Sequence, residues 1–162
     1  MSTAVATAAA APLSDDTYPA EQKQSAVMAC LAIVQQEQGW VSSESEKAVA
    51  EYLGMPPMAV HEVTTFYNMY NQKPVGRFKL AVCTNAPCMF AGGPEALKHL
   101  CDKLGIEPYG TTADGQFTVQ PCECLGACGD APVMLVNDRN MCSFMSNDKL
   151  DQLVDGLSRA ED

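Results

Sequence analysis

Two short cysteine runs constrain this chain more than anything else in its 162 residues. The first is Cys83-Thr84-Asn85-Ala86-Pro87-Cys88, a C-x4-C pair. The second is Cys122-Glu123-Cys124-Leu125-Gly126-Ala127-Cys128, closed by Gly129-Asp130-Ala131-Pro132, and it holds a C-x3-C pair. Four thiolates on two loops are the ligand count of an iron–sulfur or zinc centre. Whatever fold the chain adopts must carry two loops, distant in sequence, to one place.

The chain has eight cysteines in all. The first twelve residues, Met1 to Pro12, are alanine-rich but carry no basic n-region, and the first basic residue is Lys23. They fit neither a secretory signal nor an arginine-rich transit peptide. We expect a disordered tail over residues 1–17 and a bacterial cytoplasmic protein. A reducing cytosol argues against a disulfide framework, so each cysteine is expected to be a core residue or a ligand. Cys30, Cys101 and Cys142 stand alone and are expected in the core. The formal net charge is −10 and no basic stripe is visible, which argues against nucleic-acid binding. An acidic surface suits solubility or docking on a basic partner. No apolar run is long enough to span a bilayer.

The apolar spacing orders the elements. Val27, Cys30, Leu31 and Val34 recur at i, i+3, i+4, i+7, which predicts a helix over Pro19–Gln38, stopped by Gly39. Ser43 and Glu46 read as a capping box for a second helix that carries Ala48, Val49, Tyr52 and Leu53 and ends at Gly54. Pro56-Pro57 opens a third, with Met58, Val60, Val63, Phe66, Tyr67 and Tyr70 as expected buried positions. Its aromatic end is expected to pack on a second domain, the other reading being a partner-binding patch. Pro74-Val75-Gly76 then marks a boundary. Phe78, Leu80 and Val82 alternate as a first strand ending at Cys83. A helix opened by Gly92-Gly93-Pro94 carries Leu97, Leu100, Cys101 and Leu104, with His99 off that face and expected in solvent. Phe117 and Val119 form a second strand, Val133 to Val136 a third, Asn137-Asp138 a turn, Met141 to Met145 a fourth. A last helix carries Leu150, Leu153, Val154 and Leu157. The fold class is therefore α/β in the mixed-sheet sense. A three-helix bundle over residues 18–73 precedes a four-stranded thioredoxin-like domain over residues 74–162.

This order explains why the cysteine pairs should meet. A strand–helix–strand crossover makes the first two strands parallel neighbours. Their C-terminal ends then share one sheet edge, the usual ligand position in open α/β sheets. We expect Cys83, Cys88, Cys124 and Cys128 to be the ligands. Structural zinc favours tight C-x2-C knuckles, whereas these loops are wider. Wider loops can wrap a binuclear cluster and aim backbone N–H groups at sulfur, with Gly92, Gly126 and Gly129 letting the backbone approach. The plant-type C-x4-C-x2-C run is absent. A Rieske centre needs two histidines, and the chain has only His61 and His99, neither near the cysteines. An all-cysteine [2Fe–2S] centre is expected at about −400 mV. Cys122, two positions before Cys124, reads as an apolar filler or a spare ligand.

At this point the chain resembles a known family, the thioredoxin-like [2Fe–2S] subunit of respiratory complex I, the bacterial NADH-quinone oxidoreductase. The matching stretches are Tyr18 to Ala26, Thr65-Phe66-Tyr67, Val82-Cys83-Thr84-Asn85 with Cys88, Asp114 to Val119, and Glu123 to Cys128 with Ala131-Pro132. The resemblance runs from about residue 13 to the end. It implies one [2Fe–2S] cluster on Cys83, Cys88, Cys124 and Cys128, and docking on the flavin subunit that oxidises NADH, as a peripheral part of a complex on the cytoplasmic face of the inner membrane. FMN and NADH would belong to that partner. The family pattern has an aliphatic residue where this chain has Cys122.

The residues agree with a subsidiary role. No G-x-G-x-x-G follows a strand, no phosphate loop is present, and no acid–base pair stands out, so hydride chemistry must sit on a flavin-bearing partner. Three other readings remain open at this point: the same module in a NAD-linked hydrogenase or formate dehydrogenase, a free-standing ferredoxin, and a structural four-cysteine zinc module. A thiol–disulfide oxidoreductase would want a C-x-x-C in the first loop.

Overall fold

The computed structural model describes residues 20–160. The expectations for residues 1–17, Tyr18 and Pro19 lie outside them. The chain divides into two compact units between Pro74 and Val75. The described residues contain six α-helices and one four-stranded sheet. None of these helices is long and apolar enough to cross a membrane.

The first unit is helical. A 3₁₀ segment, Ala20–Ala26, precedes α1, Val27–Gln38. The expected single helix is thus interrupted: Gln22 has φ −124 and ψ 19, outside helical geometry. Gly39, at φ +78, stops α1 as its N–H donates to the Gln35 carbonyl. Helix α2 runs Ser43–Leu53 and α3 runs Pro57–Phe66, with proline in the first turn where a missing N–H costs nothing. The buried set is Cys30, Leu31, Val34, Val41, Val49, Ala50, Leu53, Val60 and Tyr70. Burial pushes the Cys30 thiol up, as expected of a core cysteine. The Tyr70 hydroxyl donates to the Met28 carbonyl at 3.1 Å.

Three expectations in this unit need correction. The N-cap of α2 is Ser42, whose side chain accepts from the Ser45 N–H at 3.1 Å, so the cap falls one residue before Ser43. Glu46 does not return to the cap. It is buried, accepts the Thr64 hydroxyl proton, and lies 3.0 Å from His61 Nδ1. A buried carboxylate needs such partners. Finally, Met58, Val63, Phe66 and Tyr67, expected to be buried, are not. Val63 is half-buried, and Phe66 is 80% exposed. Phe66 stacks edge-on against Tyr67 at 5.0 Å instead.

The second unit is built on β1 (Phe78–Cys83), β2 (Phe117–Cys122), β3 (Met134–Val136) and β4 (Asn140–Cys142), in the spatial order β2-β1-β3-β4. Strands β1 and β2 are parallel, in a register that pairs Phe78 with Phe117 and Cys83 with Cys122. Strands β1, β3 and β4 pair antiparallel. The β3–β4 turn has positive φ at both Asn137 and Asp138, the twist a two-residue hairpin requires. Asn137 Oδ1 also accepts the Lys79 N–H at 2.7 Å.

Helix α4 is a five-residue turn, Ala86–Phe90, inside the first cysteine loop. Helix α5, Gly93–Leu104, packs on β1 and β2, and α6, Asn147–Ser158, packs on α5. The core between them holds Leu80, Val82, Leu100, Phe117, Val119, Met134, Leu150 and Val154. Cys101 is buried in it as expected, and Cys142 packs against it from β4. His99 departs from its expected place in solvent. Its Nε2 lies 2.9 Å from Asp151 of α6, and Lys103 lies 3.2 Å from the same carboxylate and 3.0 Å from Asp155.

Candidate metal centre

Both cysteine loops leave the sheet at one edge because β1 and β2 are parallel and in register. Cys83 is the last residue of β1. Its N–H donates to the Val133 carbonyl at 3.0 Å, and the Thr84 N–H donates to the Cys122 carbonyl at 3.2 Å. The chain then turns into α4, capped by Asn85, whose side chain accepts from the Ala86 N–H. The amide of Asn85 also donates to Glu123 at 2.5 Å, tying the first loop to the second. Cys88 follows on α4. Cys83 and Cys88 are each 1% exposed, and with Val133 they form a small buried cluster.

The second loop is open. Cys124 and Cys128 are both exposed, with their sulfurs 3.7 Å apart. That spacing is close to the edge of a tetrahedron of sulfurs at about 2.3 Å from one metal. Gly126 takes φ +75, and its N–H donates to Cys124 Sγ at 3.4 Å. Cys128 opens a 3₁₀ turn, Cys128–Asp130, whose Asp130 carbonyl accepts the Phe144 N–H at 2.8 Å. The Ala131–Pro132 peptide beyond is cis.

The thiols influence one another across the loops. Burial pushes Cys88 up first, a backbone hydrogen bond from Val133 pulls it back, and Cys83 and Cys128 push it up again. Cys128 is raised chiefly by Cys124, with a smaller push from Cys83. Burial, then the neighbouring Cys83, raises Cys122 to about 12. Thiols that resist carrying charge side by side are what a cationic centre would relieve.

The donor set suits a binuclear iron–sulfur group. Among the described residues no three His, Cys, Asp or Glu side chains surround one point. Instead there are two cysteine pairs, Cys83/Cys88 in contact and Cys124/Cys128 in contact, as two sulfide-bridged irons would need. Two backbone N–H groups, of Val133 and Gly126, already point at sulfur. His61 and His99 are engaged by Glu46 and Asp151.

The glycine expectations come out unevenly. Gly126 makes the expected close approach, and Gly92 turns the chain at φ +95. Gly129 has open space around it. The tight position is Gly93, where a Cβ would sit 2.5 Å from the Cys83 carbonyl oxygen and 2.9 Å from that of Cys88. Sequence reasoning also missed Asn85 and Val133. Asn before a proline-bearing turn is a readable cap signal, whereas the role of Val133 depends on a backbone N–H and leaves no mark in the sequence.

The chain is similar to several known proteins. A NADH-quinone oxidoreductase subunit 2 from Thermus thermophilus is 40% identical over 140 residues, covering 86% of this chain and 77% of its own. A NADH-quinone oxidoreductase subunit from Rickettsia felis is 39% identical over 142 residues, covering 87% and 84%. The crystal structure of a NAD+-reducing [NiFe]-hydrogenase in the H2-reduced state superposes with a TM-score of 0.68 at 23% identity. That match covers 82% of this chain but 22% of the hydrogenase chain, and shows a shared fold. The family model described as thioredoxin-like [2Fe-2S] ferredoxin matches residues 15–158. With two thiol pairs at one sheet edge and a family match over nearly its whole length, the chain belongs to the thioredoxin-like [2Fe-2S] ferredoxin family.

Proposed function

We propose that this chain is the electron-transfer subunit of a NADH-quinone oxidoreductase. It holds one [2Fe–2S] cluster on Cys83, Cys88, Cys124 and Cys128 and exchanges single electrons with FMN on the NADH-oxidising partner subunit. The observation that carries the reading is the pairing of thiols, Cys124 with Cys128 at 3.7 Å and Cys83 with Cys88, on loops tied together by Asn85 and Glu123. The 40% identity to a named subunit of that complex supports the wider assignment. Such a cluster, when bound, moves one electron at a time and makes no bonds.

The chain's own contribution is to hold, shield and tune. Val133 and Gly126 offer N–H groups to sulfur, which stabilises negative charge there. Val133, Leu125 and Ala131 keep water from the inner pair. The exposed outer pair leaves a short path to a docked partner. The chain carries a formal net charge of −10, so the partner face should be basic, and the subunit should sit peripherally on the cytoplasmic side of the membrane.

The test is anaerobic reconstitution of the full chain with iron and sulfide, followed by EPR after reduction. Serine at any of the four positions should lower the iron and acid-labile sulfide content or change the signal. Serine at Cys30, Cys101 or Cys142 should preserve it. A colourless protein with one zinc per chain refutes the reading. Co-purification with the flavin subunit tests the partner.

A further inference from the structure

The outer cysteine pair sits on a segment with few ties to the rest of the fold. Strand β2 ends at Cys122, and the next fixed point is Asp130. There the backbone carbonyl accepts the Phe144 N–H, and the carboxylate accepts the Ser143 hydroxyl proton at 3.2 Å. Between these anchors the backbone bonds stay local. The Gly126 N–H goes to Cys124 Sγ, and the Ala127 carbonyl takes the Asp130 N–H. Leu125 and Ala127 pack against the inner cysteines, but such contact has no direction. Among the described residues, one hydrogen bond carries residues 123–129 beyond their own turn: Asn85 Nδ2 donates to Glu123 Oε2 at 2.5 Å.

The Asn85 end of that bond is itself fixed. The preceding residue, Thr84, is bonded through its N–H to the Cys122 carbonyl. Asn85 Oδ1 accepts the Ala86 N–H at 3.1 Å and so caps α4, the turn that carries Cys88. One side chain thus serves both loops. Its oxygen starts the turn of the inner pair, and its nitrogen holds the residue next to Cys124. A cap alone needs an oxygen, which Ser or Asp supplies equally well. Only an amide adds a donor on the same short stem. A bond from it to a carboxylate is stronger than one between neutral groups.

We propose that Asn85 and Glu123 are a positioning pair whose hydrogen bond sets the separation of the inner thiols, Cys83 and Cys88, from the outer ones, Cys124 and Cys128. The inference rests on the assignment of these four cysteines to one cluster. The bond is present in the metal-free chain, so the site is set before iron arrives. A loop held at the right separation keeps a released sulfur beside the metal, and a loop free to swing does not. The pair therefore governs how long the cluster is retained and how uniform its surroundings are.

The experiment compares five full chains, reconstituted anaerobically with iron and sulfide: wild type, Asn85→Ser, Glu123→Ala, both changes together, and the reversed pair Asn85→Asp with Glu123→Gln. Serine keeps the cap of α4 but is too short to reach Glu123. The reversed pair keeps the cap and the net charge, and exchanges donor for acceptor. The readouts are iron release to a chelator, the EPR line shape after reduction, and amide hydrogen exchange over residues 123–128 of the metal-free chain. Each single variant should release iron about three- to tenfold faster than wild type, with broadened lines and faster exchange. The double variant should be no worse than either single one, because both remove the same bond. The reversed pair should recover the wild-type rate and line shape. Single variants that behave as wild type overturn the proposal. So does a double variant in which the two effects multiply, or a reversed pair no better than the single changes. A wild type without acid-labile sulfide overturns the cluster assignment and this proposal with it, whereas unchanged exchange beside a normal wild-type cluster overturns the proposal alone.

Discussion

Alanine at Gly93 is the most exacting perturbation the structure offers, because it acts on the first cysteine pair without touching a cysteine. Gly93 begins α5, directly after the loop that carries Cys88. An added Cβ would lie 2.5 Å from the Cys83 carbonyl oxygen, 2.9 Å from the Cys88 carbonyl oxygen and 3.2 Å from the Cys88 carbonyl carbon. Carbon and carbonyl oxygen approach to about 3.3 Å, so the overlap with Cys83 is about 0.8 Å. All three obstacles are backbone, and Cys83 is further pinned by its ladder to Val133. Neither side can yield by turning a rotamer. Overpacking of this kind costs about 1–3 kcal/mol, and the upper end applies here. Alanine's helix preference returns up to about 1 kcal/mol, leaving a net loss of about 2 kcal/mol. For a unit of this size that is a fall in melting temperature of about 8–16 °C. The assay is thermal unfolding of the apoprotein by circular dichroism, paired with iron and sulfide analysis after reconstitution. Gly156→Ala in α6 is the control: nothing lies within 4 Å of its Cβ, and about 1 kcal/mol of stabilisation is expected. A Gly93→Ala protein that melts within about 3 °C of wild type and takes up full iron would refute the argument.

Three further outcomes follow from the same structure. Glu46→Ala should destabilise the helical unit by about 1–3 kcal/mol in urea titrations, because it strips the partner from His61 and one acceptor from Thr64, with Glu46→Gln milder. Asp151 is held below the usual carboxylate range by His99 first and Lys103 second. Its stabilising contribution is thus present above about pH 4 and lost as pH falls through its depressed pKa. The stability gap between wild type and Asp151→Asn should close below that point in acid-unfolding curves. Phe66→Ala should change stability by less than about 1 kcal/mol, since Phe66 is 80% exposed and its ring contact is with Tyr67 alone among the described aromatics. A loss of about 3 kcal/mol or more would mean that the ring is buried.

The parallel β1–β2 pair, the β3–β4 hairpin and the two cysteine loops at one edge were legible because each rests on local pattern, whereas the pairing of β3 with β1 was not read from the sequence. Alternation at Phe78, Leu80 and Val82 sets one face, and a crossover helix dictates the parallel partner. The missing pieces depend on distant residues. Glu46 looks like a cap because Ser43 stands three residues before it; its true partners, His61 and Thr64, lie a helix away. His99 sits off the apolar face of α5, yet Asp151 reaches it from α6. Helix α4 is too short to show periodicity, and only Asn85 and Pro87 announce it. Phe66 and Tyr67 have the composition of a core and the exposure of a surface, a difference that periodicity does not encode. At the centre, spacing pointed to the sulfur donors, but the carbonyls that crowd Gly93 carry no letter of their own.

The inner cysteine pair is 1% exposed while the outer pair lies open to solvent. An alkylating reagent or an invading soft metal therefore meets Cys124 and Cys128 first, and timed mass spectrometry of the metal-free chain should record modification there well before Cys83 or Cys88. Damage has a direction in this protein. What survives longest is the sheltered inner pair.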